Sequence, residues 1–276
     1  MISAVFRKNH FLFNTITEPL KRVMMSFRKI FVQDELSLQL LQENGFANAE
    51  LAGDTRFDRV WEIAQHPNDL PIIKNFKGGK KLWVAGSTWR QDEVLFIETV
   101  RQLGADWQFV IVPHEFDTLR LELLEKWFLD VGETRSSPTF YSALQQPGHI
   151  SDYNVLIVDQ IGLLSSIYQY ADIAYVGGGF GKGIHNTLEA AVYGVPVLFG
   201  PNYEKFNEAK LLIENRGARS IKNFEELNAA FQFYQQPENI ELGEANREWV
   251  KRNIGATDTI IKFLEQLNSG SASLQA

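Results

Sequence analysis

Five short, nearly uninterrupted apolar runs restrict this chain more than any other feature: KLWVAGS (81–87), QFVIVPH (108–114), NVLIVD (154–159), IAYVGG (173–178) and PVLFG (196–200). Runs without apolar–polar alternation belong to strands covered on both faces. Helical stretches near 91–103, 116–131, 161–171 and 185–193 separate them, and strands joined through helices lie parallel. The predicted fold is therefore α/β, a doubly wound parallel Rossmann-like sheet. Ahead of it come a helix near 18–29, a KIFVQ strand, a helix from Glu35 closed by Gly45, and an extended AELAG segment. Residues 61–80, with His66-Pro67, Pro71 and Gly78-Gly79, break the pattern and read as a linker. After the sheet, helices near 203–216 and 224–236 flank an RSIKN strand, 243–267 is expected as one terminal helix, and the SGSASLQA tail is expected to fray.

Composition removes several function classes. With 45% hydrophobic and 22% charged residues the chain is an ordinary globular protein and not a disordered one. It has no cysteine, which excludes disulfides, thiolate metal sites and a cysteine nucleophile. No apolar run approaches the roughly 20 residues of a membrane span, so the chain itself is expected to be soluble. A net charge of −7 argues against nucleic acid as a partner. The first 30 residues run the other way, with Arg7, Lys8, Lys21, Arg22, Arg28 and Lys29 against Glu18 alone. Leu20, Val23, Met24, Phe27 and Phe31 recur there at helical spacing, giving either a helix that touches anionic lipid or a core-packing helix with solvated lysines.

The strongest chemical signal is the segment 173–200, a strand, a loop with glycines at 177, 178, 179, 181 and 183, a helix starting near His185, and a second strand. Glycines let backbone amides approach a ligand, and a helix N-terminus favours an anion. The predicted ligand is a nucleotide or sugar nucleotide; the alternative is a tight turn with no ligand. A P-loop is excluded because Val176 takes the first glycine position and Gly183 the hydroxyl position. The dinucleotide fingerprint fails as well, since the third glycine would be Lys182 or Ile184.

Ligands of such sheets bind beyond the carboxyl ends of the strands. Ser87 and Thr88, His114, Ile161 and Gly162, and the stretch from Gly178 and Gly179 through Lys182, Gly183, His185, Asn186 and Thr187 all fall there. Ser87 and Thr88 offer hydroxyls to a phosphate, or Ser87 caps a helix. Glu189 is placed to accept from the two hydroxyls of a ribose, or else forms a cap with Asn186.

The spacing of Gly183, His185, Asn186, Thr187, Leu188, Glu189, Ala190, Gly194, Val195, Pro196 and Pro201 resembles the donor motif of GT-B glycosyltransferases. With AGDTRFDRV (52–60), GSTWRQDE (86–93) and VPH (112–114), the chain is similar to bacterial transferases of 3-deoxy-D-manno-octulosonic acid (Kdo). It departs from them at Trp89, where many members carry histidine, and at Pro113-His114, where many carry Arg-His-Pro. The resemblance implies an inverting, metal-independent transfer of Kdo from CMP-Kdo to lipid A precursor in lipopolysaccharide biosynthesis. It requires no cofactor besides the donor, and takes place at the cytoplasmic face of the inner membrane of Gram-negative bacteria. It implies a GT-B arrangement with 1–60 as the last part of an acceptor-binding N-terminal domain, 61–80 as linker, 81–240 as donor domain, and 241–268 as a helix packing back on the N-terminal part. Donor contacts are implied for Ser87, Thr88, Lys182, the 185–187 turn and Asn207, and membrane contact for the N-terminal part. The family's glutamate base matches no residue here, so no catalytic residue is named and the base is expected outside this chain. The alternatives are a GT-B enzyme using a UDP-sugar, such as an N-acetylglucosaminyltransferase or an epimerase, and a nucleotide-binding module inactive in isolation.

Overall fold

In the computed structural model, which describes residues 1–14, 17–102, 106–129, 138–145, 150 and 153–272, the chain divides into two units. One is Met1–Glu62 with Val250–Ala276 and the other is Ile63–Trp249.

The first unit is built around a small parallel sheet. Helix α1 (Glu18–Met25) has Pro19 in its first turn, where a missing N–H is tolerated. It buries Met24 and leaves Leu20, Val23 and Met25 exposed, so the expected apolar stripe lies only partly inside. Strands β1 (Ile30–Val32) and β2 (Ala49–Leu51) pair in parallel with Ile30 opposite Ala49. Helix α2 (Glu35–Glu43) connects them, started by Asp34, whose carboxylate accepts from the Ser37 amide at 2.7 Å. Leu12, Ile30, Val32, Leu41 and Phe46 are fully buried between these elements. Helix α3 (Thr55–Gln65) follows.

In the second unit α4 (Pro71–Lys77) precedes β3 (Lys81–Thr88), α5 (Arg90–Gln102), β4 (Trp107–Pro113), α6 (Thr118–Leu129), β5 (Pro138–Phe140) and β6 (Val155–Ile157). Then come α7 (Leu164–Ile167), β7 (Ile173–Val176), α8 (Leu188–Ala191), β8 (Val197–Phe199), α9 (Asn207–Glu214), β9 (Ala218–Ser220), α10 (Phe224–Gln235) and α11 (Pro237–Arg252). The seven strands form one parallel sheet in the order β5-β6-β4-β3-β7-β8-β9. After β3 the chain builds outward through β4, then returns to lay β7 on the other side of β3. The β3–β7 junction is thus the topological switch point, the place at the carboxyl edge where sheets of this kind form their ligand crevice. Trp83 in β3 anchors one face, with the rings of Phe96, Phe109, Tyr175 and Phe231 packed edge-on at 4.7–6.5 Å. Helix α12 (Ala256–Ala272) closes the chain in the first unit, where Asp58 accepts from the Gly255 amide at 2.5 Å and the Thr257 amide at 3.0 Å.

Several expectations need correction. The helix expected from His185 starts at Leu188 and ends at Ala191. The His185 amide is drawn to the Gly177 carbonyl (3.1 Å), and the Asn186 side chain takes the Leu188 amide (3.2 Å). The single helix expected over 243–267 is two, broken at Gly255, whose φ of +116° a right-handed helix cannot contain. The stretch 161–171 holds only α7 and a 3-10 turn at Tyr168–Tyr170. Segment 61–80 carries the end of α3 and all of α4, for which Pro71 supplies the first turn. Strand β5 went unforeseen because it is three residues long. Positions 103, 130 and 131 of expected helices, and 273–276 of the tail, lie outside the described residues.

Candidate functional site

The crevice is framed by the end of β3 and the glycine-rich loop after β7. At Gly86 the ladder between β3 and β4 shifts register, and Ser87 adopts φ +52°, a left-handed conformation unfavourable to a side-chain-bearing residue. That distortion lets Ser87 and Gly177 pass closely: a Cβ on Gly177 would lie 2.2 Å from the Ser87 carbonyl oxygen. Gly178 has φ +92°, and its amide donates to the Asp92 carboxylate at 3.0 Å. Asp92 has no exposed surface; the same carboxylate accepts from the Trp89 amide at 2.9 Å and the Tyr175 hydroxyl at 2.7 Å. Burial raises its pKa above the ordinary 3.8, against the lowering effect of these three donors. One buried carboxylate thereby ties the β3–α5 turn to the glycine loop.

Beyond it the loop is fixed by β8. A Cβ on Gly179 would meet the Gly200 backbone at 2.6 Å. Asn202 donates its backbone amide to the Gly179 carbonyl (2.9 Å) and its side-chain amide to the Gly181 carbonyl (2.8 Å). Lys182 stands exposed on the loop, and Gly183 packs against the Phe206 ring, next to Asn207 at the exposed start of α9.

Three aromatic rings close this corner. The Trp89 indole N–H donates to His185 Nε2 at 3.0 Å with the two rings nearly coplanar (10°). His114, exposed at the end of β4, stacks on both, its centroid 4.4 Å from that of His185 and 4.7 Å from that of Trp89. Burial, and secondarily the neighbouring His114, push the His185 pKa below 6.5. On α8, Glu189 accepts from the Asn186 side-chain amide at 3.1 Å; burial raises its pKa and this bond opposes the rise.

The structure thus gathers Ser87, Gly178, Gly179, His114 and His185 at the switch point, and joins Asn186 to Glu189 through their side chains, while the residue that caps α8 is Thr187. Thr88 is turned inward: it is 1% exposed and its hydroxyl donates to Glu93 at 2.7 Å, a buried carboxylate also paired with Arg120. That geometry suits a residue holding the turn more than one meeting a phosphate. Thr187 is fully buried, and its hydroxyl finds no partner among the described residues. Ile161 (84% exposed) and Gly162 follow β6 and lead into α7, whose Leu164 packs against Gly86 at the end of β3. Trp89 and Asp92, both within the GSTWRQDE block, are not among the site residues expected from sequence. Their signal was an acidic residue three positions after Trp89, in the first turn of a helix leaving a strand end. Among the described residues no cluster of three or more His, Asp or Glu is placed to hold a metal ion.

No protein-family model matches the chain. Among curated proteins, a 3-deoxy-D-manno-octulosonic acid transferase of Rickettsia felis is 26% identical over 254 residues, 88% of this chain and 53% of the relative. The chain is similar to Kdo transferases. It spans about half the length of the curated Kdo transferases it matches (53% and 58% for two of them). Among solved structures, the C-terminal CMP-Kdo binding domain of WaaA from Acinetobacter baumannii aligns with a TM-score of 0.53 at 18% identity, covering 70% of this chain and 96% of that one. A putative UDP-N-acetylglucosamine 2-epimerase from Listeria monocytogenes aligns at 0.52 and 18%, covering 83% and 55%. The fold is therefore the α/β architecture of GT-B glycosyltransferases, with a seven-stranded parallel sheet between helices.

Proposed function

We propose that the second unit binds CMP-Kdo and that the protein transfers Kdo to lipid A precursor. The chemistry is inverting displacement at the anomeric carbon, with CMP as leaving group and no metal required. Lipid A places the reaction in lipopolysaccharide assembly, at the cytoplasmic face of a Gram-negative inner membrane. The observation that carries this reading is the meeting of the glycine loop, His185 and the strained Ser87 at the β3–β7 switch point, in a chain similar to Kdo transferases over 88% of its length. A nucleoside monophosphate presents one phosphate. The His185 ring and Lys182 supply a neutral and a cationic donor to the charge that develops as CMP leaves. Glu189 accepts from the ribose hydroxyls, with Asn186 orienting its carboxylate. Asn207 meets the donor sugar. No residue described here is assigned the role of general base.

The second reading is a GT-B enzyme of UDP-sugars, favoured by the similarity to the Listeria epimerase. Calorimetric titration with CMP and with UDP separates the two. CMP is expected to bind more tightly, and tighter UDP binding overturns the Kdo reading. Glu189→Ala is expected to weaken CMP by about 1–3 kcal/mol, the value of a charge-assisted hydrogen bond; unchanged affinity removes Glu189 from the ribose site. Release of CMP from CMP-Kdo in the presence of lipid A precursor tests turnover, and binding without release leaves a nucleotide-binding module.

A further inference from the structure

The hydrogen bond from Trp89 to His185 fixes where the histidine proton is. An indole nitrogen only donates, so the imidazole nitrogen facing it at 3.0 Å must present a lone pair. Neutral histidine carries one ring proton, and with Nε2 accepting, that proton sits on Nδ1. The Cδ2–Nε2 edge of the ring is the edge against Gly178, at 3.0 and 3.3 Å from where its Cβ would be. Nδ1, across the ring, is therefore turned away from Gly178. A cationic His185 would need a proton on Nε2, aimed at the indole N–H, beneath a second imidazole stacked at 4.4 Å. The Trp89 contact resists protonation at Nε2, and burial, with His114 second, lowers the His185 pKa in the same direction.

We propose that Trp89 is a positioning residue that holds His185 as the neutral Nδ1–H tautomer, so that His185 meets a phosphate oxygen of the donor nucleotide as a hydrogen-bond donor and not as a cation. The role toward phosphate rests on the donor-binding reading above; the tautomer does not. Other ionisable groups around His185 leave the assignment intact. Asp92 is engaged by Gly178, Trp89 and Tyr175, Glu189 by Asn186, and Lys182 is exposed on the loop. His114, stacked on the His185 ring, lowers its pKa further. A neutral donor gives a site whose grip on the leaving group does not switch with small changes of pH, unlike a histidine titrating near 6.5.

The test is nitrogen-15 NMR of the histidine-labelled full chain without ligand, with the His185 signals assigned by His185→Gln among five histidines. The wild type is expected to show Nε2 unprotonated and Nδ1 protonated, with titration below 6.5. Trp89→Phe is expected to mix the tautomers and move the titration up toward 6.5. CMP binding at about pH 8, where free histidine is neutral, is expected to fall roughly three- to tenfold in Trp89→Phe, as for the weakening of one hydrogen bond. A wild-type Nε2–H pattern, or titration at or above the ordinary value, overturns the proposal even if the variant fails to fold. So does a Trp89→Phe spectrum identical to wild type. If the tautomer is as expected and CMP does not bind, the donor-site reading falls and the tautomer assignment stands.

Discussion

At the scale of single residues, Asp92 determines the geometry of the site. It lies 83 to 86 positions from the Tyr175 hydroxyl and the Gly178 amide it holds, so no local sequence pattern reveals the pairing. The sequence could show an acidic residue at a helix start and no more. By contrast, Gly178, Gly179 and His185 were legible as one tight loop, because glycines clustered between a strand and a helix mark close backbone approach, whether to a ligand or to neighbouring strands. Asp92→Ala is expected to cost about 2–4 kcal/mol in urea unfolding, since three buried donors lose their acceptor. Asp92→Asn keeps one oxygen and is expected to cost about 1–3 kcal/mol. The pH dependence has a definite sign. The folded-state pKa is raised above 3.8, so the folded state binds the proton more tightly, and the stability this brings is full below 3.8 and lost as pH rises through the folded value. The stability gap between wild type and Asp92→Asn should therefore narrow as pH rises from below 3.8 through the folded value. A gap that widens over that range would show that the carboxylate pKa is depressed.

At the scale of elements, β3, β4, β6, β7 and β8 were legible because a strand covered on both faces is an apolar run wherever it occurs. The short elements were not. Strand β5 is an edge strand of three residues, and α8 is one turn long; each exists because its neighbours hold it. Glycine content likewise says that a loop is tight without saying where. In 177–183 the tightness is concentrated: a Cβ at Gly179 meets the Gly200 backbone at 2.6 Å, whereas one at Gly181 meets only the Gly178 carbonyl at 3.5 Å. The Gly181 φ is not positive either. Gly179→Ala is expected to lower the urea unfolding free energy by about 2–4 kcal/mol, because backbone cannot move aside as a side-chain end can. Gly181→Ala should stay within about 1 kcal/mol of wild type and can gain from reduced unfolded-state entropy. Equal costs at the two positions would mean that Gly200 yields.

At the scale of the whole molecule, the two units carry different chemistry. The second holds the crevice. The first draws residues 250–276 to the N-terminal 62 through Asp58, which reaches donors 197 and 199 positions away. No described helix is long and apolar enough to cross a membrane. The first unit nonetheless exposes Phe11, Leu20, Val23 and Met25 among the exposed cations Lys8, Arg22 and Arg28, within a chain whose net charge is −7. Apolar side chains with basic neighbours suit the boundary between headgroups and acyl chains, where each cation near an anionic surface contributes about 1 kcal/mol. We therefore expect the protein to co-sediment with vesicles rich in anionic lipid and not with neutral ones, and to be released as salt rises past the screening length. Val23→Asp with Arg22→Glu, which removes one apolar contact, reverses one charge and adds another, should weaken vesicle binding by roughly a hundredfold, from about 3 kcal/mol of lost attraction. CMP affinity should not change, since neither residue belongs to the unit that holds the crevice. If neutral vesicles bind as well as anionic ones, or the double variant binds like wild type, the basic segment is solvated surface.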